Sequence, residues 1–251
     1  SVRRYLSRPP QPETYRSDLD DFLRTYYLMK QGKNYYASFS QAVAENAFKG
    51  YAAANLWAWR LPVVFYFWDF LPGNNGVTLY YSFLVLAVIL LITAYLITYE
   101  FINFKIKYLS VLSPYLLYPY LHFATRDPTM LNSEWWSIGA MFLGLLSILK
   151  KHKITGLIFI FLSVLIRELM VIPVILLLIY YLIFKKKDRL LLVIPVLLLG
   201  FFILLHAFLV KEHLVMPPVN IWALFVPRTH EYNWQIILAT LAYGSWEYYF
   251  F

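Results

Sequence analysis

The sequence contains no cysteine among its 251 residues. Disulfide bonds, thiolate metal ligands and cysteine nucleophiles are therefore excluded, and the redox compartment cannot be inferred from cysteine usage. Charge is also scarce, because charged residues make up 14% of the chain and Asp and Glu together number 14. Soluble globular domains are about a quarter charged. This shortage of charge favours a chain that lies largely in lipid.

Sequence motifs of three common site types are missing as well. The chain has neither GxGxxG nor GxxxxGK(S/T), the glycine-rich loops that bind nucleotide phosphates, and it has no HExxH zinc motif. A reaction that uses a soluble nucleotide would therefore lack its usual binding loop. Without cysteine, a structural zinc site is not expected either.

Apolar residues are abundant in place of charge. They make up 61% of the sequence, and aromatic residues make up 20%. Several apolar runs are about twenty residues long, the length at which a helix crosses the hydrocarbon core of a bilayer. We therefore predict an all-α polytopic membrane protein, with a transmembrane bundle in 77–251 and helices at about 77–99, 108–124, 134–149, 154–166, 169–184, 190–210 and 235–251.

The net charge of +8 has two interpretations. Binding to nucleic acid is one, but the lysines are concentrated in short turns between apolar runs, at 105–107, 150–153 and 185–189. That distribution follows the positive-inside rule, so it indicates membrane orientation and no nucleic-acid partner. It predicts cytoplasmic lysine turns and two extracytoplasmic loops, at 1–76 and 211–234.

The apolar run between the last two lysine turns is about thirty residues long, and Arg167 and Glu168 interrupt it. A single helix of that length would exceed a bilayer core of about 30 Å and would bury both charges. We therefore expect two short helices that meet at Arg167-Glu168. This arrangement keeps both lysine turns on the same side of the membrane.

The N-terminal part of the predicted loop divides at Asp18. Residues 1–17 are rich in Arg and Pro and should form an extended loop. A helix is expected to begin at Asp18 and to stop at Gly32. Both ends of the sequence, at Ser1 and Phe251, look truncated, and we expect a transmembrane helix to precede Ser1.

The remainder of the loop combines polar and aromatic residues at 35–50 and 51–71. These segments are too polar to span a bilayer, and their pattern is typical of amphipathic helices in the membrane interface. Aromatic rings prefer the headgroup level, and three tryptophans are expected there: Trp57, Trp59 and Trp68.

Three of the 14 acidic residues open the helix at Asp18. These residues, Asp18, Asp20 and Asp21, can have a structural role, because carboxylates cap a helix and interact favourably with the positive end of its dipole. Alternatively, one of them can act as a general base. Asp18 doubles as the helix cap, so Asp20 and Asp21 are the stronger candidates for the base.

Other ionisable residues are expected on the same extracytoplasmic side, near apolar segments. They are Arg60, Glu134, Arg167, Glu168, Arg228 and His230. Such residues usually face a cavity or each other, and arginines there can bind phosphate. Structural alternatives stay open, because Arg167 and Glu168 can simply neutralise each other at the turn. Glu134 can begin a helix, and His230 can be an ordinary loop histidine.

Several short motifs of the chain occur together in one known layout. They are Asp20-Asp21 followed by Tyr26-Tyr27 and Gly32-Lys33-Asn34-Tyr35-Tyr36, then Arg60-Leu61-Pro62, Glu134 at a helix start, and Arg167-Glu168 between two short helices. With this layout the chain resembles the glycosyltransferase C-type (GT-C) superfamily over nearly its whole length. In that superfamily the acidic motif follows the first transmembrane helix, in a loop that carries interface-lying helices.

The resemblance implies a membrane glycosyltransferase that moves a sugar from a polyprenyl-phosphate donor to a glycan, lipid or protein acceptor on the extracytoplasmic side. One of the three N-terminal aspartates would be the base, and Arg167, with Arg60 or Arg228, would hold the lipid phosphate. A divalent metal ion is left open as a cofactor, because members differ. Two alternatives stay open: a non-catalytic transporter of lipid-linked sugar or accessory subunit of a membrane complex, and a polymerase or ligase of lipid-linked glycans.

Overall fold

The computed structural model describes residues 2–11, 18–45, 59–102, 104–184 and 189–214. Within these ranges every regular element is a helix and no strand is present, so the predicted all-α class is confirmed. The α helices are α1 Val2–Leu6, α2 Asp18–Lys30, α3 Tyr35–Glu45, α4 Val63–Phe70, α5 Val77–Phe101, α6 Leu112–Ala124, α7 Ser133–Leu149, α8 Lys153–Ile166, α9 Val171–Phe184 and α10 Arg189–Lys211. Shorter 3₁₀ helices lie at Phe104–Val111, Pro128–Leu131 and Glu168–Met170.

Two of these helices, α5 and α10, are long and apolar enough to cross a membrane. The 25 residues of α5 span about 37 Å, which exceeds a bilayer core of about 30 Å. Only 28% of its most apolar stretch is buried inside the protein, and side chains such as Val85 and Val88 are exposed. A core helix of a soluble protein would have most of these side chains covered.

The predicted helix break at Arg167-Glu168 is present. Helix α8 ends at Ile166, Arg167 has an extended backbone, and a 3₁₀ turn leads into α9. Apolar side chains of α8, α9 and α10, namely Ile160, Val174 and Leu199, share one buried cluster. The two short helices therefore pack into the same part of the molecule as α10.

The prediction of one helix over 108–124 is wrong in its first part. The segment Phe104–Val111 is a 3₁₀ helix kinked at Ile106, and α6 begins only at Leu112. Pro119 inside α6 removes a backbone donor. With 13 residues α6 is about 20 Å long, which is shorter than a bilayer core.

The extended loop predicted for residues 1–17 contains a short helix instead. Its prolines begin only at Pro9, so the backbone donors of α1 are intact. Leu6 is fully buried and Val2 is nearly so, which means that packing against the protein stabilises this helix. Residues 12–17 lie outside the described part of the chain.

The segments predicted as interface helices correspond to α3 and α4, and residues 46–58 lie outside the described chain. The tryptophan positions differ from the prediction. Trp59 and Trp68 are 3% and 0% exposed, so neither can lie among lipid headgroups. Their rings pack on Phe39 and Phe65, with centroids 4.9 and 5.1 Å apart. Trp57 is among the residues that are not described.

The helix ends fall into two groups at opposite ends of the bundle. At the first, the lysine end, Lys150 after α7 pairs with Glu100 of α5, and the Ser113 hydroxyl of α6 donates to the Ala94 carbonyl of α5. The second, the carboxylate end, contains the start of α5, the start of α7 and the end of α8. Between them α7 and α8 cross in close contact at Gly144 and Gly156.

Candidate active site at the carboxylate end

Helix α2 presents its three aspartates in different environments. Asp18 is exposed, whereas Asp20 and Asp21 are only 4% and 2% exposed. Successive residues of a helix point about 100° apart, so the two buried carboxylates face different neighbours. Asp20 lines an open cavity, and Asp21 is not among the described residues that line it. The structure thus distinguishes three residues that the sequence leaves nearly equivalent.

The carboxylate of Asp20 is held by a phenol from α1. The Tyr5 hydroxyl donates a hydrogen bond of 2.6 Å to Asp20 Oδ1. Burial raises the pKa of Tyr5 well above its usual value. The hydrogen bond to Asp20 and the negative charges of Asp20, Asp127 and Asp21 act in the same direction. Tyr5 therefore remains a neutral donor at physiological pH, and it fixes the orientation of the Asp20 carboxylate.

The cavity beside Asp20 has a volume of about 610 Å³. Asp127 contributes a second carboxylate to its wall, and Oδ1 of Asp127 accepts a hydrogen bond of 2.9 Å from the Thr129 amide. That bond caps the 3₁₀ helix Pro128–Leu131, so Asp127 is fixed by local backbone structure. The described lining residues are Arg4, Tyr5, Arg8, Pro9, Pro10, Gln11, Leu19, Asp20, Asp127 and Pro128.

Helix α2 is tied to its surroundings through Tyr27. The Tyr27 hydroxyl donates to the Leu6 carbonyl at 2.7 Å and accepts from the Gly76 amide at 3.2 Å. A single phenol thus joins the end of α1, the middle of α2 and the start of α5. A side chain at Gly76 would lie 2.5 Å from the Leu6 carbonyl oxygen, so only glycine permits this approach.

The predicted stop of α2 at Gly32 is present. Gly32 has a φ of +90°, a conformation that side chains other than glycine rarely adopt. Its amide donates to the Met29 carbonyl at 2.8 Å, and the Lys33 amide donates to the Leu28 carbonyl at 3.3 Å. These bonds satisfy terminal carbonyls of α2 and turn the chain into α3.

Four of the predicted binding residues form one ion-pair network. Arg167 lies 2.9 Å from Glu134 and 3.2 Å from Glu168, measured between nitrogen and oxygen, and Arg60 lies 3.9 Å from Glu168. Arg167 is only 8% exposed. Burial and the neighbouring charge of Arg60 lower its pKa, and the two carboxylates oppose that effect. The network contains two positive and two negative side chains, so it is formally neutral.

The network and the cavity lie at the same end of the bundle but on different faces of α2. The guanidinium carbon of Arg60 is 5.9 Å from the ring centroid of Phe22, which is about 200° around the helix from Asp20. Asp127 and Glu134 connect the two groups, because the segment between them packs on α2. Arg60, Glu134, Arg167 and Glu168 therefore contact one another, while Asp20 faces a separate cavity.

Comparison with protein-family models, curated proteins and solved structures yields no significant match. No family is assigned on that basis.

Two predicted site residues, Arg228 and His230, lie outside the described chain. Among the residues that are described, no three His, Asp or Glu side chains are grouped so that they could hold a metal ion. Tyr5, Arg4 and Arg8 are site residues that were not predicted from the sequence. Arg8 follows the end of α1 at Leu6, so no helical spacing relates it to Arg4, and no local signal marks either residue.

Proposed function

We propose that this protein is an integral membrane glycosyltransferase that moves a sugar from a polyprenyl-phosphate donor to an acceptor outside the cytoplasm. Asp20 carries this proposal. It is a nearly buried carboxylate that lines an open cavity and is oriented by a neutral phenol. Such a group is suited to accept a proton from a hydroxyl that enters the cavity.

The reaction follows from this role of Asp20. As the acceptor oxygen bonds to the anomeric carbon of the donor sugar, its proton moves to Asp20. The bond between that carbon and the phosphate oxygen breaks, and polyprenyl phosphate leaves with the electron pair. Glycosyl transfer of this kind needs no nucleotide-binding loop, in keeping with the motifs that the sequence lacks.

The sequence assigns the donor phosphate to Arg167 with Arg60, but their network lies on another face of α2 than Asp20, and the phosphate is bonded to the sugar carbon that reacts beside Asp20. Arg4 and Arg8, which line the cavity of Asp20, are therefore the residues proposed to hold the donor phosphate. Arg60 is partly exposed and forms one long ion pair among the described residues, so it is a second, separate position at which an anion could bind. Arg167 is more deeply buried and already contacts two carboxylates, which suits it to position Arg60 and Glu168. Its Nε atom is buried and has no hydrogen-bond partner among the described residues.

A multi-pass topology belongs to the same proposal. The lysine turns at 105–107 and 150–153 lie at the lysine end, whereas the carboxylate end carries arginines and carboxylates together. The proposal takes the lysine end as the cytoplasmic one, following the positive-inside rule. In addition to α5 and α10, the apolar helices α7, α8 and α9 would lie within the bilayer. The cavity would then open on the extracytoplasmic face, in contact with membrane lipids.

A transfer assay with radiolabelled polyprenyl-phosphate sugars on membranes tests this function. We expect Asp20→Asn to lower the rate at least about a hundredfold, because it removes the base. Asp21→Asn is compared in parallel, since the two carboxylates are adjacent. Glu100→Gln is the matched control, because it removes a carboxylate from the lysine end and should retain the wild-type rate.

The assay also separates the alternatives. Full activity in the Asp20→Asn, Asp21→Asn and double variants would refute the assignment of the base. Binding of polyprenyl phosphate without turnover in the wild-type protein would instead identify a transporter or an accessory subunit. Thermal unfolding of each variant shows whether a lost rate reflects chemistry or loss of structure.

A further inference from the structure

Helix α4 is apolar on two opposite sides, and the protein covers only one of them. The buried side packs into the aromatic core of the molecule through Phe65 and Trp68. The other side carries Tyr66, Phe67 and Phe70, which are 49%, 46% and 88% exposed. Phe70 is the most exposed of the large apolar side chains that the structure describes. A helix that is apolar all round is normally enclosed by protein or by lipid, so the exposed side of α4 requires a cover.

The neighbours of α4 place it at the ends of apolar helices. The rings of Phe67 and Trp136, in the first turn of α7, have centroids 5.4 Å apart. Arg60, which precedes α4, lies 3.9 Å from Glu168 at the turn between α8 and α9. In the proposed multi-pass topology these helix ends lie at the extracytoplasmic surface of the bilayer. Helix α4 is about 12 Å long, too short to cross a bilayer, and therefore lies at the headgroup level.

Arg60 adds a cation to this exposed apolar surface. Its guanidinium has one ion pair, the long contact with Glu168, and no hydrogen bond among the residues that the structure describes. Leu169 and Ile172, which follow Glu168, are 51% and 56% exposed, so the apolar surface continues onto the start of α9. A cation beside an apolar surface is complementary to a phospholipid, in which a phosphate is joined to acyl chains.

We infer that Arg60 and the exposed side of α4 form a binding surface for a membrane phospholipid. Arg60 would bind the lipid phosphate, and the rings of Tyr66, Phe67 and Phe70 would contact the upper part of the acyl chains. Aromatic rings are favourable at this depth, and a guanidinium pairs well with phosphate oxygens. The inference rests on the membrane topology that belongs to the proposed function, but it concerns a different site from the cavity of Asp20.

Fluorescence quenching by brominated phospholipid tests the contact with lipid. The sequence has no cysteine, so Phe70→Cys in the full chain carries a single fluorophore, and the exposed position leaves the core intact. In vesicles of dibrominated phosphatidylcholine we expect strong quenching of this label relative to vesicles of the unbrominated lipid. Gln31→Cys, at an exposed polar position after α2, is the matched control and should be quenched much less. Equally weak quenching at both positions would overturn the surface, whether water or protein covers α4.

Titration in detergent tests the role of Arg60 with the same Phe70→Cys label. Dibrominated phosphatidylcholine and dibrominated diacylglycerol have the same chains, but only the first has a phosphate. The phospholipid should quench at a concentration about tenfold lower, since a hydrogen bond to a charged group is worth that factor or more. Arg60→Gln should abolish this difference, and Arg60→Lys should retain part of it. The control Arg8→Gln, in the cavity of Asp20, should leave it unchanged. A full difference in Arg60→Gln, or none in the wild-type chain, would overturn the phosphate site.

Unlabelled polyprenyl phosphate separates the two lipid sources of the phosphate. It should displace brominated phospholipid from the Phe70→Cys label no better than unbrominated phosphatidylcholine does. Stronger displacement would assign Arg60 to the donor lipid and overturn the phospholipid assignment.

Failure of this inference is distinguishable from failure of the proposed function, because no sugar donor is present in these measurements. Val88→Cys, in the middle of α5, reports the membrane topology. Quenching at Val88→Cys without quenching at Phe70→Cys would refute the phospholipid surface alone, whereas absence of both would refute the topology as well. Quenching at both, in a chain that never transfers a sugar, would support the surface and refute the glycosyltransferase.

Discussion

The close crossing of α7 and α8 gives a prediction that depends on packing alone. A side chain at Gly156 would lie 2.9 Å from the Gly144 carbonyl oxygen and 3.2 Å from the Ile148 amide nitrogen. Both are backbone atoms, which cannot turn aside as a flexible side chain can. Gly156→Ala must therefore push the two helices apart, and with them the residues that they position at the carboxylate end, Glu134 and Arg167.

The magnitude follows from a comparison with Gly200→Ala. Both variants place alanine inside a helix, which favours the helix by about 1 kcal/mol. Nothing lies within 4 Å of a side chain at Gly200, whereas overpacking at Gly156 costs about 1 to 3 kcal/mol. The difference between the two variants isolates the overpacking cost, and about 2 kcal/mol corresponds to about 4 to 8 °C in a chain of this size.

Thermal unfolding in detergent, followed by intrinsic fluorescence, measures this difference. Gly156→Ala should unfold at a clearly lower temperature than Gly200→Ala, and Gly144→Ala should resemble Gly156→Ala. A side chain at Gly144 meets the Gly156 carbonyl oxygen at 3.0 Å. Equal stability of the Gly156 and Gly200 variants would refute the close crossing, and with it the rigid spacing of the ion-pair network.

Two further predictions concern buried phenols of α2. Tyr27→Phe removes the hydroxyl that bonds both Leu6 and Gly76, so we expect a loss of about 1 to 3 kcal/mol in unfolding free energy. Tyr66→Phe, at an exposed position, should change it little, and equal losses would contradict the role of Tyr27. Burial is the main cause that raises the pKa of Tyr26 from 10.0 to about 12, and the nearby Tyr27 phenol and Asp69 carboxylate add to it. Its contribution to stability is therefore complete below pH 10 and lost as the pH rises towards 12. Denaturant unfolding and tyrosinate absorbance across that range check this, and constant stability would contradict it.

The sequence predicts features that depend on local pattern. Asp18 to Gly32 forms a helix because an acidic first turn and a glycine stop are signals within a few residues of the ends they define. The break at Arg167 is likewise encoded by two charges inside an apolar run. Both signals are independent of the rest of the fold.

Features that depend on distant packing are not predictable in this way. Tyr5 is one of 22 tyrosines, and nothing near it in the sequence indicates that its hydroxyl reaches Asp20. The aromatic pattern around Trp68 suits either a membrane interface or a buried core, and only its neighbours Phe65 and Trp136 decide for the core. Arg4 and Arg8 are apparent as basic residues, but the cavity that gives them a role requires Asp127 from a distant segment.

The hydroxyl of Tyr27 joins parts of the chain that leave the ribosome at different times. Leu6 emerges 21 residues before Tyr27, and Gly76 follows 49 residues after it. The bond from Tyr27 to Leu6 can therefore form before α5 exists, whereas the bond from Gly76 completes the arrangement only after the start of α5 has been translated.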